Sequence, residues 1–196
     1  MINLPTKITA VRILLTPIII FIIFHHNQSI REHDFQSPYL YILLIVFSIA
    51  IVTDALDGYI SRKLNLISRI GTFLDPIADK ILIFGTSVGL TFFNCGNPLP
   101  IYYTTLIFAR EVIQISGAIS IGSIAGDIKI KHHIIGKFTT IMQVLIIYCS
   151  LLIKSESFIL YFSLFTSFFA IGSAMMYIHN GLIQLPNNPN APPTKQ

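Results

Sequence analysis

The chain has 196 residues, 53% of them hydrophobic and 11% charged, with thirteen Lys and Arg against nine Asp and Glu and a formal charge of +4. Soluble domains carry about a quarter charged residues, so this composition excludes an ordinary soluble enzyme and points to an integral membrane protein. The positive excess does not mark a nucleic-acid binder: no basic run is interleaved with aromatics, and most Lys and Arg fall in the loops of one membrane side.

A helix needs about 20 apolar residues to cross the hydrocarbon, which allows about six spans with short loops and leaves no room for a separate soluble domain. The opening residues, with Pro5 and Lys7, predict a short interfacial helix or turn. The apolar run from Ile13 to Phe24 follows Lys7 and Arg12 much as in a signal peptide. It lacks a small-x-small cleavage site and predicts a retained first span. The spans are placed at 9–25, 38–60, 73–93, 100–124, 134–153 and 157–180, giving an all-α bundle of six transmembrane helices over residues 1–184. Between them, His26 to Ser37 is a polar connection, Asn94 to Pro100 a tight Gly/Pro turn, and Gly126 to His133 a basic loop. The tail, 185–196, has too little apolar content to pack and is expected to be disordered. Gly85-x3-Gly89 and Gly122-x3-Gly126 read as close helix contacts. The pairs His25–His26 and His132–His133 read as loop residues, and Cys95 and Cys149 as small apolar fillers.

Alternating the loops across the membrane puts Lys7, Arg12, Arg62, Lys63, Arg69, Lys129, Lys131, Lys137 and Lys195 on one side and only Arg31 and Lys154 on the other. The positive-inside rule makes the first side cytoplasmic, with both termini inside. It also puts residues 54–79 at the cytoplasmic ends of spans two and three, where cytosolic metal and a nucleotide can reach them.

That segment, TDALDGYISRKLNLISRIGTFLDPIADK, carries Asp54, Asp57, Asp75 and Asp79. Clustered carboxylates repel one another unless cations sit between them, and an isolated ionised carboxylate in hydrocarbon is costly. On a helix, Asp54, Asp57, Gly58, Ser61 and Arg62 share one face, and Asp75 and Asp79 share another. Two such pairs make an oxygen-rich box suited to Mg²⁺ or Mn²⁺. Gly58 clears a side chain beside the metal, Gly71 does the same at the entry to span three, and Arg62 is placed to clamp a phosphate. Metal, carboxylates and an arginine at a membrane surface point to phosphoryl chemistry on a lipid.

The same residues resemble the signature of the CDP-alcohol phosphatidyltransferases, D-x2-D-G-x2-A-R-x8-G-x3-D-x3-D. Every spacing matches from Asp54 to Asp79, and the departure is Ser61 where the family usually has Ala. The opening NLPTKITAVR, through Asn3, Pro5, Thr6, Thr9 and Arg12, is also similar to the family's. The resemblance implies a six-helix transmembrane fold, usually a homodimer, in the bacterial cytoplasmic membrane. It implies attack of an acceptor alcohol on the β-phosphorus of a CDP-linked lipid, CDP-diacylglycerol, with release of CMP. By the same resemblance Asp54, Asp57, Asp75 and Asp79 bind metal, and Asp79 is also the general base. Asp57, Gly58, Ser61, Arg62 and Gly71 border the CDP group.

Arg110 and Glu111 lie in mid-span four, where adjacent charges are improbable unless they line the cavity. The family has a matching Arg–acidic pair, so Arg110 is read as binding acceptor, with Lys137. Two branches are similar, the phosphatidylglycerophosphate synthases and the CMP-forming cardiolipin synthases. Ala118 and Thr139 stand where the first branch has further cations, and the stretch Ser173 to Gly181 resembles the second. A phosphomonoester dianion needs several fixed donors. These departures favour phosphatidylglycerol as acceptor, with glycerol 3-phosphate as the alternative. An ion-coupled transporter is the rival class. It would put acids at the midplane of symmetry-related halves, and neither feature is visible.

Overall fold

A computed structural model of the chain describes residues 4–32, 38–64, 69–93, 97–125 and 134–183, with side chains at 14–28, 38–53, 80–93, 97–117 and 135–181. The described residues form six α-helices and no strand: α1 (Leu4–Glu32), α2 (Pro38–Leu64), α3 (Arg69–Phe92), α4 (Ile101–Ala125), α5 (Ile134–Leu152) and α6 (Glu156–Ile183). The expectations for the basic loop 126–133 and the tail 185–196 fall outside the described residues.

The helices coincide with the predicted spans to within a few residues, except in α1. The opening segment is helical, one of the two forms expected, but it is not separate from the first span, and the loop at His25–His26 is corrected, because one helix runs from Leu4 through Glu32. Pro5 sits in the first turn, where its missing N–H costs nothing. No Gly or Pro follows Pro17 to stop the helix as its sequence turns polar. His25 instead packs its ring on Tyr39 of α2 at 5.9 Å between centroids.

The helices form two interlocked groups. α1 packs on α2 and α3, α6 packs on α4 and α5, and α3 joins the groups by touching α4 and α5. A core of Ile19, Ile23, Leu43, Phe47, Leu90, Tyr103, Ile107, Ile146, Ile147 and Leu151 runs through both. Ser48 and Tyr148 share a hydrogen bond of 2.7 Å between α2 and α5. The turn after α3 is pinned to the end of α5. Asn97 Nδ2 donates to the Ile153 carbonyl and Ser150 Oγ to the Asn97 carbonyl, each at 2.6 Å.

The distribution of polarity is the reverse of a soluble bundle. Phe21, Phe92, Tyr161, Phe168 and Met175 are each more than three-fifths exposed, while Thr86, Thr139, Gln143, Ser150, Ser163 and Thr166 are buried. Thr86, Thr139 and Thr166 hydroxyls donate to carbonyls one turn back in their own helices, so their burial leaves no orphaned donor. Among the described residues, 135–152 and 156–181 are long and apolar enough to cross a membrane, and shorter apolar stretches occupy 14–28, 38–53 and 80–92.

The Gly85-x3-Gly89 pattern is a close helix contact, as expected. A Cβ at Gly85 would lie 2.7 Å from Thr16 Cγ2, and one at Gly89 would lie 2.9 Å from Ile23 Cδ1. Both neighbours are buried β-branched residues of α1 with little rotamer freedom to yield. A Cβ at Gly172 meets nothing within 4 Å. Gly85→Ala should therefore lower stability by about 1–3 kcal/mol through overpacking, while Gly172→Ala should raise it by up to about 1 kcal/mol through helix propensity. Thermal midpoints in one detergent check the opposite signs.

Candidate active site

The eight signature positions lie on two helices. Asp54, Asp57, Gly58, Ser61 and Arg62 belong to the last part of α2, and Gly71, Asp75 and Asp79 to the first part of α3. Their side chains lie outside the described residues. The helices are continuous through these positions, which settles the facing within each. Spacings of three, four and seven residues gather the α2 residues on one face, and the four-residue spacing does the same for Asp75 and Asp79. Carboxylates are the donor type that a hard divalent cation prefers. Among the described side chains, no group of three or more His, Cys, Asp or Glu is placed to hold a metal.

One residue beyond Asp79 begins a charged cluster in the interior. α4 buries Tyr103, Thr104, Ile107, Arg110 and Glu111, a three-and-four spacing that continues to half-buried Gln114. Arg110 is 4% exposed and Glu111 8%. Arg110 Nη1 donates to Glu111 Oε1 at 2.5 Å. Lys80 Nζ lies 2.5 Å from Glu111 Oε2 as a charge contact and donates a hydrogen bond to Gln114 Oε1 at 2.7 Å. Arg110 Nη2 reaches the Gly136 carbonyl of α5 and Ser173 Oγ of α6, both at a long 3.4 Å, and Arg110 Nε has no partner among the described residues. The cluster therefore ties α3, α4, α5 and α6 together and leaves guanidinium donors in reserve.

The other expected acceptor residue, Lys137, is exposed in the first turn of α5, beside Gly136. No hydrogen bond or ion pair reaches it from the described residues. Thr139 is fully buried. Its hydroxyl donates to the Ile135 carbonyl at 2.8 Å and lies 3.4 Å from the Phe169 carbonyl, so this position is spent on the α5–α6 contact. The side chain of Ala118 lies outside the described residues. Sequence reasoning found Arg110 because charge is conspicuous in an apolar run, but it missed Lys80, Gln114 and Ser173. Lys80 directly follows the motif, and that adjacency was the available signal.

Comparison with known proteins gives consistent matches. The family model described as CDP-alcohol phosphatidyltransferase matches residues 2–169. A protein of Bacillus subtilis named CDP-diacylglycerol--glycerol-3-phosphate 3-phosphatidyltransferase is 34% identical over 78% of this chain and 78% of its own length. One of the same name from Aquifex aeolicus is 32% identical over 71% of this chain and 70% of its own. The human cardiolipin synthase (CMP-forming) is 29% identical over 91% of this chain and 62% of its own length.

The cluster makes an asymmetric stability prediction. Arg110→Met leaves Glu111 paired with Lys80, whereas Glu111→Leu leaves Arg110 buried without a counter-charge among the described residues. Removing one partner of a buried pair costs about 3–5 kcal/mol, so thermal midpoints should fall in the order wild type, Arg110→Met, Glu111→Leu. A reversed order would show that Lys80 does not compensate.

Proposed function

The chain belongs to the CDP-alcohol phosphatidyltransferase family, and from that premise we propose that it transfers the phosphatidyl group of CDP-diacylglycerol to a glycerol-based acceptor, releasing CMP. The observation that carries this reading is the signature from Asp54 to Asp79 on two helices, matched at every position but Ser61, with a largely buried Arg–Glu–Lys cluster starting at the next residue.

All six helices cross the membrane in this reading, supported by the large apolar side chains exposed on each and the hydroxyls turned inward. The charge bias of the loops favours a cytoplasmic membrane location with both termini inside. The protein works as a homodimer.

Asp54, Asp57, Asp75 and Asp79 would hold Mg²⁺ or Mn²⁺, which would supply charge to polarise the diphosphate and to stabilise departing CMP. Asp57, Gly58, Ser61, Arg62 and Gly71 border the CDP group. The two glycines admit the substrate close to the backbone, and Arg62 pairs with a phosphate oxygen. Asp79 takes the proton of the acceptor hydroxyl as its oxygen attacks the β-phosphorus. The bond from that phosphorus to the bridging oxygen breaks, and the electron pair leaves with CMP. Arg110 orients the anionic acceptor, with Lys137 adding charge from the rim.

Glycerol 3-phosphate is the acceptor that fits better. It is named in the relatives from B. subtilis and A. aeolicus, each aligned over more than two-thirds of both chains. Its dianion needs several cations; Arg110 and Lys137 are two of them, and the sequence puts Lys129, Lys131 and His133 just before α5 as further candidates. Phosphatidylglycerol, the first expectation from the sequence, is the second reading. Ala118 and Thr139 in place of cations favour it, as does the match to human cardiolipin synthase.

Purified protein should be offered CDP-diacylglycerol with labelled glycerol 3-phosphate or phosphatidylglycerol in parallel. CMP release with label entering lipid from glycerol 3-phosphate is expected, abolished by EDTA and restored by Mg²⁺ or Mn²⁺. Label from phosphatidylglycerol alone overturns the acceptor assignment, and no CMP with either overturns the transfer reading. Asp79→Asn should lower turnover by about 10²-fold or more with a smaller effect on CDP-lipid binding. Equal losses would make Asp79 chiefly a metal ligand.

A further inference from the structure

Glu111 stands between two cations that serve different parts of the site. Its Oε1 accepts from Arg110 Nη1, and its Oε2 lies against Lys80 Nζ, each at 2.5 Å. Arg110 looks toward α5 and α6 through Gly136 and Ser173. Lys80 follows Asp79 within the same turn of α3. Consecutive Cα atoms are about 3.8 Å apart, so a helix held at Lys80 is held at the backbone of Asp79.

Two further described contacts between α3 and α4 are uncharged and lie farther along α3. Phe84 stacks on Phe108 with centroids 4.9 Å apart, and Thr91 shares a hydrogen bond of 2.6 Å with Thr104. Stacked rings tolerate sliding. A carboxylate hydrogen-bonded to one cation and in charge contact with another resists the separation of the two.

We propose that Glu111 is a positioning residue: by holding Arg110 and Lys80 on one carboxylate, it sets the acceptor-side guanidinium against the end of α3 that carries Asp79. The proposal rests on the phosphatidyl-transfer reading and adds to it a residue that touches neither substrate. With Nη1 committed to Glu111, Arg110 keeps for an anionic acceptor Nε, which has no partner among the described residues, and Nη2, which has only long contacts among them. A glutamine at 111 preserves shape but not charge, so the two cations then repel and Arg110 is released from its place.

The test measures binding as well as rate. Glycerol 3-phosphate binding is read from the gain in thermal midpoint it gives the wild type and Glu111→Gln. The variant should bind about tenfold more weakly, and its acceptor KM should rise by a similar factor while KM for CDP-diacylglycerol stays within about twofold. Lys80→Met keeps the Arg110–Glu111 pair and should lower kcat more than it raises acceptor KM. Lys80→Arg should restore kcat. The Glu111→Gln/Lys80→Met double variant should lose less than the product of the single losses, as residues of one network do. Wild-type binding and kinetics in Glu111→Gln, or fully multiplicative losses, overturn the proposal. Should Glu111→Gln not fold, unchanged kcat in both Lys80→Met and Gln114→Leu overturns it. A wild type that binds glycerol 3-phosphate in a Glu111-dependent way yet releases no CMP would overturn the transfer reading and leave the positioning role standing.

Discussion

An ion in a helix bundle clothed in apolar side chains must find its counter-charge inside the protein, and among the described side chains that requirement falls on Glu111. Glu111 neutralises Arg110 beside it in sequence and Lys80 on the neighbouring helix. Each ion would be costly alone, whereas the three form a network whose members are all on packed helices. The rest of the interior follows the same rule at lower stakes. Hydroxyls of Thr86, Thr139 and Thr166 return to their own backbones, and Tyr102 and Ser163 share a bond of 2.5 Å across α4 and α6.

α3 is the element through which packing reaches the chemistry. Its first part carries Gly71, Asp75 and Asp79, and its remaining length is locked on two sides. On one side Gly85 and Gly89 bring its backbone against Thr16 and Ile23 of α1. On the other, Lys80, Phe84 and Thr91 meet Glu111, Phe108 and Thr104 of α4. A helix so held along its length delivers its first turns to a defined place, which is what a constellation assembled from two helices demands.

Much of this was legible in the sequence because a membrane simplifies the code. Apolar run length alone put α4 at 100–124, against Ile101–Ala125 in the structure. The spacing of the four aspartates, once the segments were read as helices, put each pair on one face. The ends of α1 were misread because polar residues such as His26 and Asn27 mark where lipid ends, which is a different boundary from where a helix ends. The partners of Arg110 were not legible: Lys80, Gly136 and Ser173 come from three other helices, and only their packing brings them within reach. Acceptor choice was the hardest inference because a hydroxyl in place of a cation has two meanings. Thr139 signals a lost anion contact when read in the sequence, and a helix-packing residue when seen folded.

The proposed chemistry requires the four aspartates to act together as a divalent-metal site. Titrating the purified protein with Mn²⁺ and following free ion by electron paramagnetic resonance tests that without reference to substrate or turnover. Wild-type protein should deplete the free signal in a saturable way, and Asp57→Asn and Asp75→Asn should each sharply weaken that binding while remaining folded. Binding undiminished in both variants would contradict the metal site and, with it, the chemistry built on the signature.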